Sequence, residues 1–372
     1  MAGIYIHIPF CRRACNYCDF HFTTNLSKSN ELVVAILNEI SLRKDYLKDE
    51  LVETIYFGGG TPSLLPTTAI KQILDSINTY NKVVVGAEIT LEANPEDLTT
   101  EKLIELKSIG INRLSLGTQS FIDSELKWMN RMHSAKQAEE CVRAAQRIGF
   151  NNISIDLIFG LPNQTKQNWQ FNLDKAISLN VQHISSYSLT VEAKTVLGNR
   201  VKKGLQSAPD DNLASDFFKM NMRFLTLHGF EHYEISNFAV AGYISKHNSS
   251  YWKNVNYLGL GPSAHSYNGI SRQWNVKSNT RYTNLIARQE GFFETETLSV
   301  NDKLNEHILT GLRTKWGIQK MVIEQISPTA WEEIINRLNP LEMENFVFEN
   351  DAITLSNQGK LITDSLTSEL FF

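Results

Sequence analysis

Six short β-rich runs, each followed by a longer amphipathic stretch, constrain this chain more than any other feature. They are "GIYIHIP", "VETIYFGGG", "AEITLEANP", "RLSLGTQS", "NISIDLIFGLP" and "HISSYSLTV". The stretches between them, including "NELVVAILNEISLRKDYL", "TEKLIELKSIG" and "SAKQAEECVRAAQRIG", carry apolar residues at helical spacing. Two of these stop at Gly110 and Gly149, where a helix can close in the left-handed conformation. Such alternation gives parallel βα units, because a parallel strand pair needs a crossover long enough to hold a helix. About six units fit before residue 195, with Asp211–His228 as a further helix and "HYEISNFA" as a further strand. The predicted fold class is α/β, an incomplete (β/α) TIM-like barrel; a doubly wound sheet is the alternative.

The pattern changes along the chain and divides it into three. Residues 1–240 form the partial barrel. Residues 241–297 are rich in Gly, Asn, Ser and aromatic residues, as in "AGYISKHNSSYWKNVNYLGLGPSAHSYNG", and with little periodicity they read as an irregular functional segment. In residues 298–372, helices are predicted over Asn301–Arg313, Ile318–Ile326 and Trp331–Glu342. "FVFENDAITLS" follows as a hairpin around Glu349-Asn350-Asp351, then a closing helix, together suggesting a small winged-helix-like α+β domain.

The formal charge is −4 with 20% charged residues, so no basic surplus faces a phosphate backbone, and nucleic acid is excluded as a partner. No stretch approaches the roughly 18 consecutive apolar residues of a membrane span. The start of the chain also lacks a charged-then-apolar leader, its apolar piece Ile4–Phe10 being short and followed by Arg12 and Arg13. The expected location is the cytoplasm, where closely spaced cysteines bind metal more often than they form disulfides.

Three of the four cysteines, Cys11, Cys15 and Cys18, fall in "IPFCRRACNYC". If "IYIHIP" is the first barrel strand, they lie on the loop leaving its C-terminal end, the face where such barrels carry their sites. A closed structural zinc site needs four ligands, and only His7 or His21 could complete one. Three thiolates suit a four-iron cluster with one iron left open to a small molecule. Cys141, in "AEECVRAAQ", sits on the inward face of a predicted helix and reads as a buried apolar residue.

"YIHIPFCRRACNYC", "YFGGGTPS", "EANPE", "LGTQSF" and "IDLIFGLPNQT" together resemble the radical S-adenosylmethionine (SAM) superfamily, and within it the oxygen-independent coproporphyrinogen III oxidase-like branch. The resemblance spans nearly the whole chain. It implies a [4Fe-4S] cluster on Cys11, Cys15 and Cys18 whose open iron is chelated by the methionine part of SAM. The sulfonium can then be cleaved by an electron from the cluster. Gly58, Gly59, Gly60 and Thr61 would offer backbone amides to the SAM amino-acid part. Glu92 and Asp156, inward on apolar strands, would accept from ribose or ammonium groups, since buried carboxylates need partners. Gln119 and Arg131 match positions that contact SAM in the related oxidase, and Tyr5 and Tyr17 would pack beside the cluster and the adenine.

Within that branch two departures from the oxidases stand out. Phe20 occupies the position two residues after the last cluster cysteine, where the oxidases carry another cysteine, and the chain begins directly at the first strand. "HNSSYW", His247 to Trp252, resembles instead a motif of the branch's heme chaperones. These are regarded as binding heme and passing it to acceptor proteins while keeping a cluster and SAM. The resemblance implies heme as a third cofactor, an accessible His247 near the barrel mouth as its axial ligand, and Tyr251 and Trp252 as flat contacts; His265 in "GPSAHSY" is the competing ligand. Such a role admits a homodimer and peripheral contact with membrane-bound acceptors. The alternative is a radical SAM enzyme that decarboxylates, methylates or opens a tetrapyrrole.

Overall fold

A computed structural model describes residues 1–372. The six β-rich runs form strands β1 (Ala2–Ile8), β2 (Leu51–Gly59), β3 (Lys82–Ala93), β4 (Arg113–Gln119), β5 (Ile153–Phe159) and β6 (His183–Ser188), each followed by helix. "HYEISNFA" is two short antiparallel strands rather than one, β7 (Glu231–Glu234) and β8 (Asn237–Ala239), folded at Ile235-Ser236. Beyond them lie β9 (Asn256–Leu260), β10 (His265–Tyr267), β11 (Ser271–Asn275) and β12 (Phe293–Thr297).

All twelve strands join one sheet in the order β12-β11-β10-β9-β1-β2-β3-β4-β5-β6-β8-β7. The run from β9 through β6 is parallel, and both flanks are antiparallel. The order never returns to its start, so the barrel is open, as the pattern implied. Residues 241–297 are therefore not irregular. They supply helix Lys246–Trp252, the parallel strand β9 beside β1, three antiparallel strands and helix Asn279–Arg288. Their polar composition hid this, because a short helix and flanking strands need no long apolar stripe.

Period-two alternation sorts the strand residues between two environments. Ile4, Ile6 and Ile8 of β1, and Ile55 and Phe57 of β2, are fully buried against helices such as Ser29–Leu42 and Thr67–Tyr80 in a core of 53 residues. Each such side chain contributes about 1.5–3 kcal/mol by burial. The alternate positions, among them Tyr5, His7, Thr54, Tyr56, Glu88, Glu92, Arg113, Asp156 and His183, face the barrel interior and are almost all polar. Helix Ala135–Ile148 shows how the outer layer is fixed. A capping box of Ser134 and Gln137 starts it, and Gly149 ends it at φ 92°. Ala138, Cys141, Val142 and Ala145 make its buried stripe, so Cys141 is a core residue, as expected.

Leu304 to Leu370 contribute a second core of 13 residues. Helices Val300–Leu312, Lys320–Ile326 and Ala330–Leu338 enclose it with β13 (Ile318–Gln319), β14 (Phe346–Glu349) and β15 (Ala352–Leu355). The hairpin turns at Asn350 and Asp351, both at positive φ. This unit covers the β7 edge through Ile235 N to Arg313 O and Lys315 N to Tyr233 O, each 3.0 Å. No helix is long and apolar enough to cross a membrane.

Candidate functional site

The loop after β1 carries Cys11, Cys15 and Cys18 across the C-terminal ends of the parallel strands, and none of the three is in a disulfide. Its path is pinned at several points. Cys11 N donates to Thr23 O (3.0 Å), Asn16 Nδ2 to Trp128 O (2.5 Å), and Asn130 Nδ2 to Ala14 O (2.7 Å). Two of the sulfurs receive donors: the Thr61 hydroxyl, just past the end of β2, reaches Cys11 Sγ, and Arg131 Nη1, beyond helix Asp123–Trp128, reaches Cys15 Sγ, both at 3.5 Å. Burial pushes the Cys18 thiol up to about 12 and raises Cys11 as well. Donors aimed at sulfur, on a loop held from outside, fit a thiolate-ligated cluster.

Arg131 organises the rim. Its Nη2 donates to Asn94 Oδ1 (2.5 Å) and Gly117 O (2.7 Å), and Asn94 Nδ2 donates to Thr61 Oγ1 (3.2 Å). Tyr17 packs beside it among Leu126 and Met129. Gln119 ends β4 at φ 66°, just where the ladder to β5 slips register. The ring of His133 bridges Thr118 O and Glu96 Oε2, each at 3.0 Å, and so holds this bend.

Glu92 takes a bond from the Tyr56 hydroxyl (2.8 Å) and one from Gly59 N (3.1 Å). Burial, aided by the nearby Asp156 charge, lifts its carboxyl to about 7; burial also lifts Asp156 to about 6. Two inward carboxyls poised between charged and neutral favour a cationic ligand, which SAM is.

The glycines are required by the close packing around them. A Cβ on Gly59, at φ 110°, would meet the His7 ring at 2.5 Å; one on Gly60 would meet Phe10 O at 2.7 Å; and one on Gly58 would meet Tyr5 and Tyr56 at 2.9 Å. The protein's own packing claims the space a side chain would take at all three. Tyr5 lies below them, its hydroxyl 3.1 Å from His7 Nδ1.

His247 is not at this mouth, nor is it accessible. It lies in helix Lys246–Trp252, which plugs the opposite end of the barrel, and is 1% exposed. Nδ1 pairs with Thr54 Oγ1 (2.8 Å), Nε2 with the Tyr251 hydroxyl (2.9 Å), and Glu88 accepts from the backbone amides of Lys246 (3.2 Å) and His247 (3.0 Å). Burial, with Arg113 nearby, holds the imidazole neutral by lowering it to about 3. His265, the competing ligand, is exposed, with Trp274 tilted against it at 6.3 Å.

The radical SAM superfamily model matches residues 5–176. The heme chaperone HemW of Bacillus subtilis is 37% identical over 370 residues, 97% of each chain. The chain belongs to the HemW family. The HemW of Escherichia coli is 36% identical over 265 residues, 71% of this chain and 69% of that one. A mitochondrial radical S-adenosyl methionine domain-containing protein 1 of Bos taurus is 30% identical across 99% of this chain and 87% of its own. Among solved structures, the radical SAM enzyme coproporphyrinogen III oxidase (HemN) of Escherichia coli superposes over 100% of this chain and 90% of its own with a TM-score of 0.86 at 23% identity, a shared fold. Membership of HemW, within the radical SAM superfamily, implies a [4Fe-4S] cluster and SAM.

Sequence reasoning missed Asn94, Tyr56, His133 and Arg113. Tyr56 and Arg113 could have been found from strand phase alone, since each alternates with residues of the outer core. Nothing in the sequence signals that Asn94 joins Thr61 to Arg131.

Proposed function

We propose that this protein binds heme and delivers it to acceptor proteins, holds a [4Fe-4S] cluster on Cys11, Cys15 and Cys18, binds SAM, and lacks coproporphyrinogen oxidase activity. The observation that carries this reading is likeness to a heme chaperone over 97% of both chains. Phe20 supports it: the side chain stands 70% exposed where the oxidases carry a further cysteine, and the remaining thiol, Cys141, is locked in the core. When bound, the cluster would supply an electron to the SAM sulfonium. Thr61 and Arg131 would hold the Cys11 and Cys15 sulfurs in place, Glu92 and Asp156 would face the ligand's positive charges, and Tyr17 and Gln119 would shape the rim. Tyr5 and the backbone of Gly58–Gly60 form the wall beneath.

His247 is the proposed heme ligand, reached when helix Lys246–Trp252 leaves its seat. Its neutral imidazole has the lone pair that iron requires. The test uses the anaerobically reconstituted protein. Heme titration followed by Soret absorbance should saturate at one site, and the loaded protein should give up its heme to apomyoglobin. Repeated decarboxylation of coproporphyrinogen with SAM and reductant would move the protein to the enzyme class, and absence of heme binding would end the chaperone reading.

A further inference from the structure

A cleft of about 480 Å³ lies outside the barrel, where the strand ends of β5 and β6, helix Asp211–Leu227, the β7–β8 turn and the segment Lys360–Ser365 meet. It is separate from the cysteine loop, none of whose residues line it. Asp211, Ala214, Ser215 and Phe218 face it from one helical stripe at spacings of three and four. Phe159, Phe218 and Ile362 give it apolar walls, and its volume is in the range of small-molecule sites.

Lys360 is the feature that points to a ligand. Its ammonium is partly buried, forms no salt bridge, and has the neutral His232 Nδ1 as its side-chain partner at 3.5 Å. His232 can only accept there. Its Nε2 donates to Ile235 O (3.0 Å), its ring lies flat on Phe238 at 4.2 Å, and burial lowers it to about 4. The backbone that carries the lysine is also held: a Cβ on the preceding Gly359 would meet Asn345 O at 2.2 Å, so this turn is pressed against the hairpin unit. The other charges in the cleft do not balance Lys360. Arg313 is paired with Asp364, and Asp211 stands exposed at the rim, where water screens it. A half-buried cation with no counter-charge, at the edge of an apolar-walled cleft, is a complement for an anion carried on an apolar body.

We propose that this cleft binds a small amphipathic anion, with Lys360 taking its carboxylate or phosphate and Phe159, Phe218 and Ile362 its apolar part. The occupant would touch both the barrel, at Ser186 and Ser188, and the second core, at Arg313 and Thr363, and so would tie the two together. The proposal does not depend on the chaperone reading. Octanoate, octyl phosphate and 1-octanol serve as probes in isothermal titration of the full chain. The two anions distinguish carboxylate from phosphate recognition, and at least one should bind one-to-one about tenfold more tightly than the alcohol, the factor that one charge-assisted hydrogen bond supplies. Lys360→Gln should remove that preference, and Ser215→Trp, which fills the cleft from an accessible helix position, should abolish binding of all three. Circular dichroism establishes that both variants are folded. Equal affinity for octanol and both anions, or an unchanged preference in Lys360→Gln, would overturn the proposal, as would binding that survives Ser215→Trp.

Discussion

The imidazole of His247 lies nearly parallel to the ring of Tyr56, their centroids 4.9 Å apart and their planes at 22°, while the Tyr56 hydroxyl donates to Glu92. One tyrosine thus touches both the floor of the barrel, where the heme-chaperone motif sits, and the carboxyl that faces the mouth. Two regions far apart in sequence share a wall.

Removing the Tyr251 hydroxyl should expose this arrangement. Tyr251→Phe frees His247 Nε2 at a stability cost of about 1 kcal/mol, and heme should then bind faster than in the wild type. His247→Ala should lose the heme signal, and His265→Ala should keep it. Stopped-flow Soret absorbance and thermal melts measure the two quantities. Slower binding in Tyr251→Phe would argue against His247 as ligand.

Cluster assembly should follow the loop. Cys11→Ala, Cys15→Ala and Cys18→Ala are each expected to lose most iron and sulfide after anaerobic reconstitution. Cys141→Ala should retain them and lose only core packing, its side chain being 5% exposed among the outer helices. Iron and sulfide analysis decides this.

Glu92 gives a pH dependence with a definite sign. Its folded carboxyl titrates near 7 against a reference of 4.5, so burial favours the protonated form. The stability associated with that proton is complete below about 4.5 and is lost as pH rises through about 7. Allowing for partial solvent access, the loss is on the order of 2 kcal/mol. Glu92→Gln should therefore flatten the pH profile of the apo-protein's melting temperature between these limits. It should also weaken SAM, because a cationic ligand favours the carboxylate; SAM affinity in the wild type should rise across the same interval, as equilibrium dialysis would measure.

Gly59 should tolerate no side chain. Gly59→Ala places a methyl against His7 at a positive φ, costing on the order of 3 kcal/mol, and it shifts the amide that donates to Glu92. Denaturant unfolding should show the loss, and SAM binding should fall with it. Gly86→Ala is the control, since a Cβ there has nothing within 4 Å although its φ is also positive.

The βα order, the open barrel and the cysteine loop could be read from sequence because each rests on local signals: strand alternation, helix caps such as Ser134 with Gly149, and fixed cysteine spacing. What could not be read depends on pairing between distant segments. Helix Lys246–Trp252 is seven residues long and polar, and its seat is made by Ser245 as cap and by Glu88, well over a hundred residues away in the chain. The same holds for Glu39, whose partners Gly261, Asn275 and Tyr282 come from the segment first read as irregular. The motif residues of the mouth could be named from the family resemblance, yet their contacts to Asn94 and Asn16 arise only once the strand ends are adjacent.

The buried carboxylate of Glu88 beneath helix Lys246–Trp252 has a kinetic consequence. Withdrawing the helix strips that acid of two amide donors and breaks the bond of the His247 ring to Thr54, while the bond to Tyr251, made within the helix, travels with it, so reaching the exposed form carries a cost. Uptake through His247 would then be limited by the opening step rather than by encounter. Its rate would level off as free heme increases, and at low heme the apparent affinity would be reduced by the fraction of molecules that are open. A carrier built this way would be slow to take up stray heme and, once the helix had reseated, slow to be refilled.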